Sequence, residues 1–123
     1  MTAYVEVRTR VLVVDDQDEP ASLLKLALED MGCAVAVAHD GPVALSLARN
    51  FQPQVAFLDL RLPVMDGYEL ARRLRASTEG LRVVAVTWMT EDTYRQRSVE
   101  AGFLDHLVKP IDPKVIRRII ASL

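Results

Sequence analysis

The sequence predicts a single α/β domain, a doubly wound parallel sheet of five strands with helices on both faces. Three observations predict it. Short runs rich in β-branched residues recur along the chain and are continuously apolar, as strands covered on both faces are. Segments between them carry apolar residues at helical spacing. The two kinds alternate five times, which calls for right-handed βαβ crossovers and a parallel sheet. The length of 123 residues suits one domain.

The strands are expected at Val11–Val14, Ala34–Val37, Val55–Leu58, Val83–Val86 and Leu104–Val108. In the first helix Leu23, Leu24, Ala27 and Met31 share a face, and Gly32 follows as a C-terminal stop. Val43, Ala44, Leu47 and Ala48 mark the second helix. Leu70, Ala71 and Leu74 mark the third, with Asp66 as N-cap and Glu69 three residues on, a capping-box pattern. The fourth, about Glu91 to Ala101, is mostly polar, with only Tyr94, Val99 and Ala101 apolar. The last carries Val115, Ile116, Ile119, Ile120 and Leu123 behind an Asp112-Pro113 start.

Composition narrows the function. Half the residues are hydrophobic and a quarter charged, a globular balance. No apolar run approaches the roughly 20 residues of a membrane span. Met1 to Arg10 has no apolar signal core, so a cytoplasmic location is expected. The single cysteine, Cys33, excludes an internal disulfide and a cysteine-based zinc site. A net charge of −2 gives no general pull toward nucleic acid or anionic membrane.

In a doubly wound sheet function sits at the carboxyl ends of the strands, whichever of two strand orders is taken. The first strand ends in Asp15-Asp16, the third in Asp59, the fourth in Thr87 and the fifth in Lys109-Pro110. One parallel sheet brings these to one edge. Crowded carboxylates resist joint ionisation unless a cation joins them. Mg²⁺ answers this, since it takes oxygen ligands and binds through one or two carboxylates plus phosphate oxygens. Taken singly, each residue has a plainer role: a helix cap, a loop carboxylate, a strand hydroxyl, a surface lysine.

Val13-Val14-Asp15-Asp16, the stretch from Leu58 to Gly67, Val86-Thr87 and Leu107-Val108-Lys109-Pro110 together resemble the receiver domains of bacterial two-component response regulators. The resemblance runs from about Arg10 to Leu123, leaving residues 1–9 as an N-terminal extension and 10–123 as the domain. It implies the flavodoxin-like strand order 2-1-3-4-5. It implies that Asp59 is a phosphoacceptor for a histidine kinase or phosphotransfer protein. Asp16 would hold Mg²⁺ directly, Asp15 largely through water, and Asp59 and the backbone carbonyl of Arg61 would complete the set. Lys109 would neutralise a phosphoryl oxygen, and the Lys109–Pro110 bond is expected to be cis. Thr87 and the side chain at 106 would form the switch, read by a downstream protein at the face of the fourth helix, fifth strand and fifth helix. A monomer or weak homodimer is expected, with no direct nucleic-acid or membrane partner and no enzyme activity beyond its own phosphoryl transfer and dephosphorylation.

Departures from the family pattern are Trp88, where a small residue is usual, and His106, where Tyr or Phe is common. Trp88 narrows access to Asp59, offers an anchor to a partner, or packs on the surface. His106 belongs to a stretch that looks most like receivers found with hybrid histidine kinases. Arg61 reaches a phosphoryl oxygen or pairs with a local acid, and Met89 supplies no hydrolytic group. His39 is expected on the loop surface, and Arg72, Arg73 and Arg75 on a solvated helix face. The alternative function is a phosphorylation-independent scaffold. A phosphohydrolase would need an aspartate where Arg61 stands. A flavin mononucleotide carrier would need a phosphate loop in place of the acidic run from Asp15 to Glu19.

Overall fold

The structure, a computed structural model, describes residues 8–88 and 92–123, without the side chains of 92–94. Residues 1–7 of the expected extension, Met89 and the Tyr94 side chain lie outside the described set. The elements are β1 (Arg10–Val14), α1 (Asp18–Asp30), β2 (Ala34–Ala38), α2 (Gly41–Phe51), β3 (Val55–Asp59), α3 (Gly67–Ser77), β4 (Arg82–Thr87), α4 (Asp92–Glu100), β5 (Asp105–Val108) and α5 (Pro113–Ala121). The strands are all parallel, in the order β2-β1-β3-β4-β5. Of the two orders open to a doubly wound sheet, this is the one the resemblance implies.

Alternate strand residues feed two cores. Val11, Val13, Phe57 and Val84 point to one face and meet Ala21 and Leu28 of α1 and Ile116 and Ile119 of α5. Leu12, Val14, Leu58 and Val83 point to the other and meet Ala44, Ala48, Leu70 and Leu74 of α2 and α3. The central strand β3 is therefore buried throughout, and β1 and β4 are buried beyond their first residues, while β2, at the edge, is half-exposed over most of its length. Cys33 is buried just before β2.

Local chemistry sets the helix ends. Gly32 takes φ +89°, the left-handed conformation that glycine tolerates, and its N–H and that of Cys33 return to the carbonyls of Glu29 and Leu28. The carboxylates of Asp40, Asp66 and Asp112 accept from the backbone N–H groups of Val43, Glu69 and Lys114. The capping box at α3 is half made: the Glu69 carboxylate turns to Arg72 and Arg73, which hold its pKa at about 2.

Other expectations need correction. The inward face of α1 runs through Ala21, Leu24, Leu28 and Met31, and Leu23 is 60% exposed, one step round the helix. On α2, Val43 and Leu47 face outward, leaving the inward stripe to Ala44 and Ala48 with Leu45 packed beside them. Leu104 precedes β5 and is exposed. Val99 of α4 is exposed as well, so this helix packs no apolar stripe from its described side chains. Arg75 is not a solvated charge: it donates to the carbonyls of Ala101 and Gly102, just past α4.

Candidate phosphorylation site

Four strands deliver their last residues to one corner. Asp15 follows β1 and is buried, while Asp16 beside it is exposed. Asp59 and Thr87 are the final residues of β3 and β4, and both are buried. Lys109 follows β5, is buried, and precedes a cis peptide bond to Pro110. Oxygens of Asp15, Asp16 and Asp59 come within 4.8 Å of one another. Neither Asp15 nor Asp16 caps α1, whose N-cap is Gln17 without a side-chain bond.

Asp15 and Asp59 are held in the same way. One oxygen of each accepts from the backbone N–H two residues on, Gln17 for Asp15 and Arg61 for Asp59, each at 2.9 Å. The other oxygen of each accepts from Lys109 Nζ, at 2.6 Å and 3.0 Å. Both strand ends thus turn on their own carboxylates, and one ammonium is shared between them.

The sharing explains the electrostatics. Burial raises the Asp59 pKa, and the nearby Asp15 charge adds to this; the Arg61 N–H and Lys109 oppose without overcoming it. Burial alone would lower the Lys109 pKa, but the bonds to both carboxylates outweigh it and the pKa rises. The ammonium gains from two partners, while each carboxylate gains from half of one cation.

The flanks differ. Trp88, 57% exposed, lies with its ring centroid 5.6 Å from Lys109 Nζ and lines a cavity of about 730 Å³ with Leu23, Leu24, Ile111 and Pro113. Arg61 lines a second cavity of about 530 Å³ with Asp16, Asp66, Tyr68 and Arg97. His39 is exposed, yet its Nδ1 lies 2.8 Å from the Asp15 carbonyl oxygen and its Nε2 3.3 Å from Asp18. Sequence reasoning missed Tyr68 and Arg97. Tyr68 had a signal in its place directly after Asp66-Gly67. Arg97 sits on a helix without apolar periodicity and had none.

His106 is buried in β5, and its Nδ1 lies 2.8 Å from Ser98 Oγ. Burial lowers its pKa below the usual 6.5, with Arg95 adding and Asp105 opposing. A histidine held neutral binds fewer protons folded than unfolded, so its contribution is lost as pH falls through 6.5. His106→Phe is therefore expected to flatten the acid-side loss of thermal stability between neutral pH and pH 5. An unchanged profile would show that the imidazole does not titrate on unfolding.

Residues 11–121 match the response regulator receiver domain. The chain belongs to the receiver domain family. It is 38% identical over 112 residues to a 14.6 kDa protein of Leptolyngbya boryana, covering 89% of this chain and 86% of that protein. It is 37% identical over 118 residues to the DNA-binding response regulator MtrA of Mycobacterium tuberculosis H37Rv, covering 95% of this chain and 51% of MtrA. The receiver domain thus spans about half the length of MtrA relatives. Among solved structures, it superposes on a CheY-like receiver domain protein of Methanospirillum hungatei with a TM-score of 0.86, at 27% identity over 94% of this chain and 93% of that one. It also superposes on the receiver domain of the sensor histidine kinase PA1611 of Pseudomonas aeruginosa, with a TM-score of 0.83 at 28% identity, covering 94% and 97% of the two chains. That structure has a magnesium ion coordinated in its active site cleft. Membership of the family places this receiver domain in phosphorylation-dependent signalling. No helix among the described residues is long and apolar enough to cross a membrane.

Proposed function

We propose that Asp59 accepts a phosphoryl group from a histidine kinase or phosphotransfer protein in a Mg²⁺-dependent reaction, and that the α4–β5–α5 face carries the signal to a downstream protein. The observation that carries this reading is the meeting of three carboxylates, Lys109 and Thr87 at the ends of four strands.

An Asp59 oxygen attacks phosphorus, the O–P bond forms and the N–P bond of a phosphohistidine breaks, leaving its electron pair on the imidazole. Phosphoryl transfer needs positioning and charge neutralisation more than proton chemistry. The Arg61 N–H fixes one Asp59 oxygen, and Lys109 stands ready for a phosphoryl oxygen. The donor set suits a hard divalent ion: all oxygens, close together, with Asp16 exposed as the entry side. Asp15, Asp16, Asp59 and the Arg61 carbonyl would hold Mg²⁺, which when bound neutralises charge on the phosphoryl oxygens. The added group brings charge and three acceptor oxygens, to which the Thr87 hydroxyl responds and His106 after it.

Intact-mass measurement after incubation with acetyl phosphate tests the reading. One phosphoryl adduct is expected, lost without Mg²⁺ and lost in Asp59→Asn. An adduct that survives Asp59→Asn would move the phosphoacceptor to another residue, and none on the wild-type chain would support a phosphorylation-independent scaffold instead. Trp88 is the observation that keeps that second reading in view. Its ring flanks Lys109 at the mouth of the site. Trp88→Ala is expected to speed acetyl phosphate labelling severalfold by opening access, and an unchanged or slower rate would remove Trp88 as a barrier.

A further inference from the structure

Four side chains outside the acidic cluster form a stack from α3 to α4 and the loop beyond it. The Arg97 guanidinium lies over the Tyr68 ring, 4.0 Å from its centroid. The Tyr68 ring stacks on Phe103, with centroids 5.6 Å apart and planes 18° from parallel. Arg75 lies over Phe103 at 5.5 Å while it holds the carbonyls of Ala101 and Gly102. Among its described side chains α4 has few other ties. Ser98 is buried on His106, and Val99 is 72% exposed.

The first pair of this stack also faces the phosphoacceptor corner. Tyr68 and Arg97 share one cavity with Asp16, Leu60 and Arg61, the residues beside and just after Asp59. The exposed Arg97 guanidinium has two candidate partners there, the ring within the cavity and an anion carried by Asp59 beside it. Its contact with the ring is a cation–π pair at a water-facing site, which is weak. A phosphoryl group offers a charge-assisted, bidentate pair, which is stronger.

We infer that Arg97 is a further phosphoryl-binding residue, parked on Tyr68 while Asp59 is unmodified and drawn off the ring by an anion bound at Asp59. The inference rests on the phosphoacceptor reading of Asp59. Its consequence is a second route from the site to α4, separate from Thr87 and His106. When Arg97 leaves Tyr68, α4 loses one of its ties to α3 and keeps the Ser98–His106 bond and the Arg75 cap beyond its end. The coupling is reciprocal: whatever weakens the hold of Tyr68 on Arg97 must strengthen anion binding.

The test is the affinity of the chain for beryllofluoride, a phosphoryl mimic, in saturating Mg²⁺. Trp88 serves as the fluorescent reporter, being the only tryptophan and lying beside Lys109. Arg97→Ala is expected to weaken binding about fivefold, Arg97→Lys by less, and Tyr68→Leu to tighten it about threefold. The opposite signs separate this role from a structural one, which would weaken all three. Wild-type affinity in Arg97→Ala, or weakening in Tyr68→Leu, overturns the inference while leaving Asp59 as phosphoacceptor. Absence of saturable binding by the wild-type chain removes both.

Discussion

Replacing Lys109 with Met is expected to destabilise the fold by about 3 kcal/mol at neutral pH, as removing one partner of a buried ion pair does. The ammonium and both carboxylates it binds are more than nine-tenths buried. Without it, Asp15 and Asp59 face each other with no cation between them. The deficit should shrink as pH falls toward 4, because Asp59 already has a raised pKa and takes up a proton in the folded state first. It should also shrink on adding Mg²⁺, which restores positive charge at the same oxygens. The stabilisation by Mg²⁺ should be larger in the variant than in the wild type by about 1 kcal/mol, equivalent to several-fold tighter binding. Acetyl phosphate labelling should nonetheless fall by about 100-fold, because a cation aimed at developing phosphoryl charge is gone. The wild-type ion pair makes its own statement about pH. Its lysine pKa is raised above 10.5, so the stabilisation it contributes is complete below 10.5 and lost only as pH rises above it. Denaturation curves at three pH values with and without Mg²⁺ check the set. A variant as stable as wild type at pH 7 would show that the shared ammonium is not a net stabiliser.

Replacing Gly67 with Ala is expected to damage both fold and chemistry. A Cβ at this position would meet the Asp59 carbonyl oxygen at 2.7 Å and the Leu60 Cα at 2.8 Å. Both are backbone atoms, so no flexible side chain can move aside. The first turn of α3 must then part from the end of β3, where Gly67 N–H also bonds the Leu60 carbonyl. Overpacking of this kind costs about 1–3 kcal/mol, and the absence of any yielding neighbour places it at the upper end. The displaced segment is the one that aims Asp59 and the Arg61 N–H, so labelling should fall more than tenfold. Gly32→Ala provides the control. It costs about 1–2 kcal/mol because φ is +89°, but nothing lies within 4 Å of its Cβ and it sits at the opposite end of α1 from the site. Comparable stability loss in the two variants with loss of labelling only in Gly67→Ala would locate the effect in the β3–α3 turn. Wild-type labelling in Gly67→Ala would show that the turn relaxes without moving Asp59.

The strands were legible because they are buried on both faces: Val11 to Val14 and Val55 to Leu58 admit no polar residue and so stand out as runs. The site was legible because its residues end those runs. What escaped was set by directions that the linear pattern does not record. Leu23 and Leu24 are equally apolar, and only the tilt of α1 on the sheet decides that Leu24 goes in. The same holds for the partners of long side chains. Arg75 reads as a solvated charge and Arg97 carries no signal, because nothing in their neighbours in sequence announces rings and carbonyls supplied by another element. The hold of Lys109 on Asp15 and Asp59 spans 94 and 50 residues, and it became visible only when the sheet closed the distance.

The acidic corner has a colloidal consequence. Its three aspartates and one lysine leave two negative charges uncompensated. The whole chain carries −2, so acids and bases elsewhere are equal in number. The charges outside the corner therefore sum to zero. A single divalent ion cancels the charge of the corner, leaving the loaded chain close to isoelectric at pH 7, where mutual repulsion between copies is least. A phosphoryl group on Asp59 then returns about −1 net at that same point, because its charge of about −2 replaces that of the carboxylate it esterifies. Electrophoretic mobility in a native gel and the osmotic second virial coefficient should both follow the occupancy of this one corner, through the repulsion it restores.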